Sequence, residues 1–150
     1  MGIRIYLDTC CVHRPFDDQA AERVHRETEA VLGIVIRCES GELAWIGSDI
    51  LRYEAARVRN QNIREGSELL YQAVHEWVPL TDGIRARATE LETLGFRPLD
   101  ALHLASAEAG TVQVFLTVDD QLLRTGTKVS KAIGVRVLDP ITWSQQEVER

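Results

Sequence analysis

Val112-Gln113-Val114-Phe115-Leu116-Thr117-Val118-Asp119, near the end of the chain, and Ile3-Arg4-Ile5-Tyr6-Leu7-Asp8, at its start, are apolar runs that each stop at an aspartate. Both read as strands. Three more runs have the same character, at Leu43–Gly47, Trp77–Leu80 and Val135–Leu138. Helical patterns fill the spaces between them. Val24, Thr28, Val31, Val35 and Cys38 recur on one face, with Gly41 as a C-terminal stop. Ser48 can cap a second helix running to about Arg59 with Leu51, Ala55 and Val58 inward, and another helix is expected over Arg64–Val74. Ile84, Ala88 and Leu91 mark a fourth that ends at Gly95. Pro98 opens the next, because proline suits the first helical position, and Leu99–Ala107 is apolar nearly all round, as in a helix buried in the core. Strands alternating with helices imply an α/β fold with a parallel sheet of about five strands. No repeat, low-complexity tract or interior linker interrupts the chain, so one domain is expected over residues 1–150. The polar tail after Trp143 is expected to fray.

Composition narrows the function. A hydrophobic content of 45% is ample for one packed core. The net charge of −6 argues against holding nucleic acid by bulk electrostatics, though local basic patches remain open. The three cysteines, Cys10, Cys11 and Cys38, make an odd number without paired spacing, which fits a reducing compartment. No apolar stretch is long enough to span a membrane, and no signal peptide is visible, so a soluble cytoplasmic protein is expected.

Four acidic residues carry the chemistry. Asp8 and Asp119 stand at the carboxyl ends of strands, where open α/β sheets bind ligands. Glu54 and Asp100 ride on helices that begin just after such strands, among apolar residues. A carboxylate on a buried face must be paired, protonated or bound to metal. Structural roles compete at each position. Asp8 could make an Asx-turn, Asp119 or Asp120 could cap the helix containing Leu122 and Leu123, and Glu54 could pair with an arginine. Asp100 could accept hydrogen bonds from the backbone at its helix start, or from His103 one turn on. If the four converge, the all-oxygen donor set favours a hard cation, Mg²⁺ or Mn²⁺, over zinc. His103 reads as a packed, hydrogen-bonded group beside that set rather than a ligand, and His13, His25 and His75 show no spacing that converges on it. A nucleophilic Cys10 or Cys11 is discounted, since neighbouring carboxylates would raise a thiol pKa. Arg52, Arg57, Arg59 and Arg64 form a positive stretch around Glu54. Arg14, Arg52 and Arg59 are candidates for holding phosphates.

Taken in order, Tyr6-Leu7-Asp8-Thr9, the segment Ser48 through Glu54, Pro98-Leu99-Asp100-Ala101-Leu102-His103-Leu104-Ala105 and Leu116-Thr117-Val118-Asp119 resemble the four signatures of PIN-domain nucleases. The resemblance covers essentially the whole chain and is greatest to the prokaryotic VapC-like toxins of type II toxin–antitoxin pairs. It implies a central parallel sheet flanked by helices, an acidic cluster holding Mg²⁺ or Mn²⁺, and metal-dependent hydrolysis of RNA phosphodiester bonds. By position, Asp8, Glu54, Asp100 and Asp119 match the acidic set and Thr9, Ser48 and Thr117 the hydroxyl residues beside it. The resemblance also implies a cognate antitoxin and self-association as a homodimer or higher. An antitoxin arginine or lysine inserted among the carboxylates could replace the metal's charge. His13-Arg14-Pro15-Phe16 is similar to the Asn-Arg-Pro-Phe stretch of one PIN subgroup, with histidine for asparagine.

Two rival readings remain. A haloacid-dehalogenase-like phosphohydrolase would use Asp8 as nucleophile, but its opening motif wants an aspartate where this chain has Cys10, and the only lysines, Lys128 and Lys131, follow Asp119. A PIN-like binding module without catalysis would be expected to have lost at least one of the four carboxylates.

Overall fold

The computed structural model describes residues 2–149. Five strands form one parallel sheet: β1 (Arg4–Leu7), β2 (Ala44–Ser48), β3 (Glu76–Val78), β4 (Val114–Leu116) and β5 (Arg136–Leu138), in the order β3-β2-β1-β4-β5. Each lies on or within one or two residues of an apolar run in the sequence. Around them pack α1 (Thr9–His13), α2 (Glu22–Glu39), α3 (Asp49–Ala56), α4 (Gln61–Tyr71), α5 (Asp82–Thr93), α6 (Pro98–Ala109), α7 (Asp120–Lys128) and α8 (Pro140–Val148).

Both sheet faces are covered, so consecutive strand residues feed two different cores. Ile5, Leu7, Trp45, Val114 and Leu116 pack with Val31, Ile34 and Val35 of α2, Tyr71 of α4 and Trp143 of α8. Tyr6, Ile46 and Phe115 point the other way, onto Leu91 of α5, Leu104 of α6 and Leu122 of α7. This division follows from handedness. A parallel crossover is right-handed, so the chain moving outward from β1 to β3 lays its helices on one face, and the chain moving from β4 to β5 lays them on the other. The two directions part between β1 and β4, leaving a crevice at the carboxyl ends of those two strands.

Local signals explain the helix ends. Ser48 Oγ accepts from Leu51 N at 3.1 Å and starts α3. Gly95, at φ +112°, follows α5 in a conformation that disfavours any side chain, and Gly41, at φ +83°, does the same after α2. Three expectations need correction. The second helix ends at Ala56 rather than about Arg59, because Asn60 caps the next helix through Ile63 N at 3.1 Å and the chain must leave the first helix to reach it; α4 accordingly starts at Gln61, not Arg64. Thr9–His13 and the following 3-10 turn, Arg14–Phe16, form helical structure that the sequence reading passed over.

The third correction is the tail. It is the helix α8, capped by Asp139 Oδ1 accepting from Thr142 N at 2.8 Å, with Pro140 in its first turn. Trp143 is 1% exposed against α2, and the Arg37 guanidinium lies 5.5 Å over its ring. Truncating a buried tryptophan costs about 3–5 kcal/mol through lost contacts and the cavity left behind. Trp143→Ala is therefore expected to lower unfolding free energy by about that amount in a urea titration. A loss under about 1 kcal/mol would mean that α8 is peripheral.

Candidate functional site

Asp8, Glu54, Asp100 and Asp119 line one cavity of about 440 Å³, together with Thr9, Cys10, His13, Arg97 and Leu99. It opens at the crevice between β1 and β4. The four carboxylates reach it by three routes: Asp8 and Asp119 leave strand ends, Glu54 comes from the last turn of α3, and Asp100 comes from the first turn of α6.

Asp8 is 6% exposed and anchored by donors from two elements. Oδ1 accepts from Thr9 N at 2.9 Å, and Oδ2 accepts from Thr117 Oγ1 at 2.8 Å and from Cys10 Sγ at 3.3 Å. Thr117 Oγ1 in turn accepts from Asp119 N at 3.1 Å, so one hydroxyl sets the spacing of two acids. The thiol at position 10 is thus a donor to the cluster. Cys11 is fully buried, and burial pushes its thiol pKa well up, which removes it as a nucleophile.

Glu54 is held by a chain of buried polar groups. Its Oε1 accepts from Thr9 Oγ1 at 2.6 Å and meets His103 Nε2. His103 Nδ1 meets Tyr6 Oη at 2.6 Å, and Tyr6 Oη meets Ser48 Oγ, also at 2.6 Å. Two proton arrangements fit these contacts: a neutral ring donates to Glu54 and accepts from Tyr6, which accepts from Ser48, or an imidazolium donates from both nitrogens and Tyr6 donates onward to Ser48, which also accepts from Leu51 N. Electrostatics favour the charged ring. Burial opposes the charge on both groups, yet their pairing holds Glu54 below the usual carboxylate range and His103 above the usual imidazole range. The arginine partner considered for Glu54 is therefore a histidine. Atoms of Asp8, Glu54 and His103 lie within 4.8 Å of one another, the spacing of a metal site, but both ring nitrogens of His103 are already engaged. The ring acts on the site through Glu54, whose Oε2 takes no hydrogen bond among the described residues.

Asp100 and Asp119 share a partner that the sequence reading missed. Arg97 donates from Nε to Asp100 Oδ2 and from Nη2 to Asp119 Oδ2, each at 2.7 Å. Asp119 also caps α7, its Oδ1 accepting from Leu122 N at 3.0 Å, so capping and cavity roles coexist in one side chain. Its pKa is lowered, burial being outweighed by Arg97 and the backbone donors. Asp100 is pushed the other way: burial raises its pKa, Arg97 opposes, and Asp8 and Asp119 add repulsion.

The arginines suggested for phosphate binding lie elsewhere. Arg14 is committed to Glu27 at 2.9 Å and Asp17 at 2.8 Å, the Arg52 guanidinium lies 4.0 Å over the Trp77 ring, and Arg59 is exposed in the loop after α3. None of the three lines the acidic cavity. A neighbouring hollow of about 360 Å³ shares Thr9, His13, Glu54 and Leu99 with it and extends past Tyr53 and Arg57. His13 Nε2 is buried there without a hydrogen-bond partner among the described residues, and burial lowers the ring's pKa.

The buried chain behind Glu54 makes a prediction. Tyr6→Phe deletes one hydroxyl, which strands His103 Nδ1 and leaves Ser48 Oγ with Leu51 N as its remaining partner, and leaving a buried polar group unpaired costs about 1–3 kcal/mol. Chemical denaturation is expected to record a loss of that size. A variant as stable as the parent would show that the chain from Ser48 to Glu54 is not what holds the glutamate.

The comparisons with known proteins agree with this architecture. A search of curated proteins by sequence returned no match. Among solved structures, the chain is similar to FitAcB from Neisseria gonorrhoeae at 18% identity and a TM-score of 0.59, covering 91% of this chain and 97% of that one. VapBC2 from Rickettsia felis, solved bound to a DNA fragment from its promoter, gives 13% identity and a TM-score of 0.55 over 91% of this chain and 98% of that one. PAE2754 from Pyrobaculum aerophilum gives 17% identity and a TM-score of 0.55 with full coverage of both chains. At these identities the likeness is one of fold. The family model for the PIN domain matches residues 5–128, from the first strand through the last turn of α7, and the chain therefore belongs to the PIN domain family.

Proposed function

We propose that this chain is a metal-dependent endoribonuclease and the toxin of a toxin–antitoxin pair. The observation that carries the reading is the convergence of Asp8, Glu54, Asp100 and Asp119 on one cavity at the topological switch point of a nuclease-family fold. The donor set fits a hard divalent cation, Mg²⁺ or Mn²⁺, because every candidate ligand atom is a carboxylate oxygen. A cation already bridges two of these carboxylates in the structure, in the form of the Arg97 guanidinium. Asp8, Asp100 and Glu54 would hold the ion directly or through water, with Asp119 completing the set.

When bound, such an ion supplies Lewis-acid activation of a phosphate oxygen and of a water, and stabilises charge on the leaving oxygen. The chain's own residues prepare the place for it. Thr117 and the Thr9 amide fix both oxygens of Asp8, and His103 fixes Oε1 of Glu54, a residue that lines the cavity. Leu99 walls the cavity on one side. The hollow lined by His13, Tyr53 and Arg57 continues from the cavity and offers a neutral imidazole, an exposed ring and a guanidinium to a single-stranded substrate. Arg59 lies close in sequence to that hollow and would meet phosphates outside the cavity.

Cleavage of an RNA pool with Mg²⁺ or Mn²⁺, with and without EDTA, tests the activity, and Asp100→Asn separates site from scaffold. An acid whose folded pKa is raised, as that of Asp100 is, favours the fold when protonated and opposes it as pH climbs past its unfolded value. At neutral pH the neutral asparagine removes that opposition, while the lost pair with Arg97 is an exposed one worth about 0–1 kcal/mol. Asp100→Asn is thus expected to abolish cleavage, to melt in EDTA within a degree or two of the parent or above it, and to gain less from Mg²⁺. Undiminished cleavage in EDTA, or an active variant that melts far below the parent, contradicts the assignment.

The partner proposal rests on the family and on the likeness to the structures of FitAcB and VapBC2. A cognate antitoxin would place an arginine or lysine among the carboxylates, and the chain would self-associate as a homodimer or higher. Co-expression with the product of the adjoining reading frame is expected to give a tight complex without nuclease activity. A complex with full activity would remove the toxin assignment.

A further inference from the structure

Arg97 has no part in the acidic set, yet it touches half of it. The residue precedes Pro98 at the start of α6 in an extended conformation, φ −67° and ψ 154°, and its side chain makes no capping bond to its own helix. The guanidinium goes instead across the mouth of the cavity. It reaches Asp100 Oδ2 and Asp119 Oδ2 at 2.7 Å each, and its side chain stays 45% exposed while those of Asp100 and Asp119 are 17% and 31% exposed. Both pairings raise the pKa of Arg97, Asp119 contributing most.

From this geometry we infer that Arg97 is an exchangeable internal counter-ion: it offsets part of the charge of Asp100 and Asp119 when the site lacks metal, is displaced by the divalent cation, and is then free to hold a phosphate oxygen of the substrate. The inference rests on the reading of the carboxylates as a divalent-metal site. Two physical facts support it. A dication and a guanidinium repel, so both cannot take the same carboxylate oxygens at full strength. Exposed ion pairs are also weak, so this pair can be broken by a stronger ligand, whereas a fully buried pair could not be broken cheaply. The displaced side chain remains tethered at the cavity wall, and its planar fork of donors matches a phosphate. One guanidinium covers only one of the two carboxylate charges it touches, and the charge left over on that side, with Asp8 behind it, gives the incoming ion its first foothold.

The test uses Mn²⁺ binding by titration calorimetry without nucleic acid, then binding of a non-cleavable 2′-O-methyl single-stranded RNA at saturating Mn²⁺. Removing a competing cation that is held by two exposed pairs is expected to tighten Mn²⁺ binding in Arg97→Gln by about threefold or more. The same variant is expected to bind the RNA several-fold more weakly. Arg97→Lys, which keeps the charge but cannot bond both carboxylates through one planar group, is expected to fall between on both readouts. Opposite signs for metal and RNA are the mark of exchange, and a merely structural arginine would move neither affinity. If wild type binds Mn²⁺ and both variants bind it equally, the inference fails while the metal reading stands. If none of the three proteins binds Mn²⁺, both fail. Tighter Mn²⁺ binding with unchanged RNA affinity removes the phosphate role.

Discussion

Four carboxylates around one cavity repel one another, and the site is organised by how each charge is offset. Asp8, the most buried, receives donors from two separate elements. Glu54 is paired with a buried imidazole. Asp119 has a helix N-terminus and half of a guanidinium. Asp100 has only the other half, and burial together with repulsion from Asp8 and Asp119 raises its pKa. The uncompensated charge therefore lies on the side of the cavity where Arg97 sits, which is where an incoming cation gains most.

The scaffold supports this with interactions away from the cavity. Glu27 is 2% exposed and would be a costly buried charge if alone, but Arg14 and Arg23 both bond it, at 2.9 Å and 3.2 Å. Arg23 continues to Val118 O at 3.2 Å and to Asp120 at 2.7 Å, so α2 grips the residues on either side of Asp119. Stranding the buried Glu27 would cost several kcal/mol, whereas the Arg23–Asp120 pair is exposed and serves to position the loop that presents Asp119. Arg14, suggested by its place in the sequence as a phosphate ligand, is thereby used as a structural cation. Consistent with a net charge of −6, the arginines named here are largely spent on the protein's own acids and rings.

Strands were legible because a strand covered on both faces needs a continuous apolar run, and short apolar runs were all it took to place β1, β2 and β4. Asp8 and Asp119 were legible for a related reason, since each ends such a run at the sheet edge that binds ligands. Arg97 was not, because an exposed arginine before a proline reads as loop, and nothing in the local pattern says that its side chain turns toward Asp119, 22 residues later. Tyr6 read as one more apolar strand residue; its hydroxyl became important only once β1, β2 and α6 brought it, Ser48 and His103 together. The helix α8 was missed for want of apolar residues, although Asp139-Pro140 carried a start signal and Trp143 supplied the anchor. A helix needs only a narrow buried stripe, and one tryptophan provides most of it.

The most direct measurement is the anomalous difference map of a crystal soaked in Mn²⁺. The account predicts a peak inside the cavity, bounded by oxygens of Asp8, Glu54, Asp100 and Asp119, with the Arg97 side chain withdrawn from at least one of its two carboxylates. A peak ligated by His103 after it has let go of Glu54, or a cavity with no peak and Arg97 unmoved at saturating Mn²⁺, would contradict it.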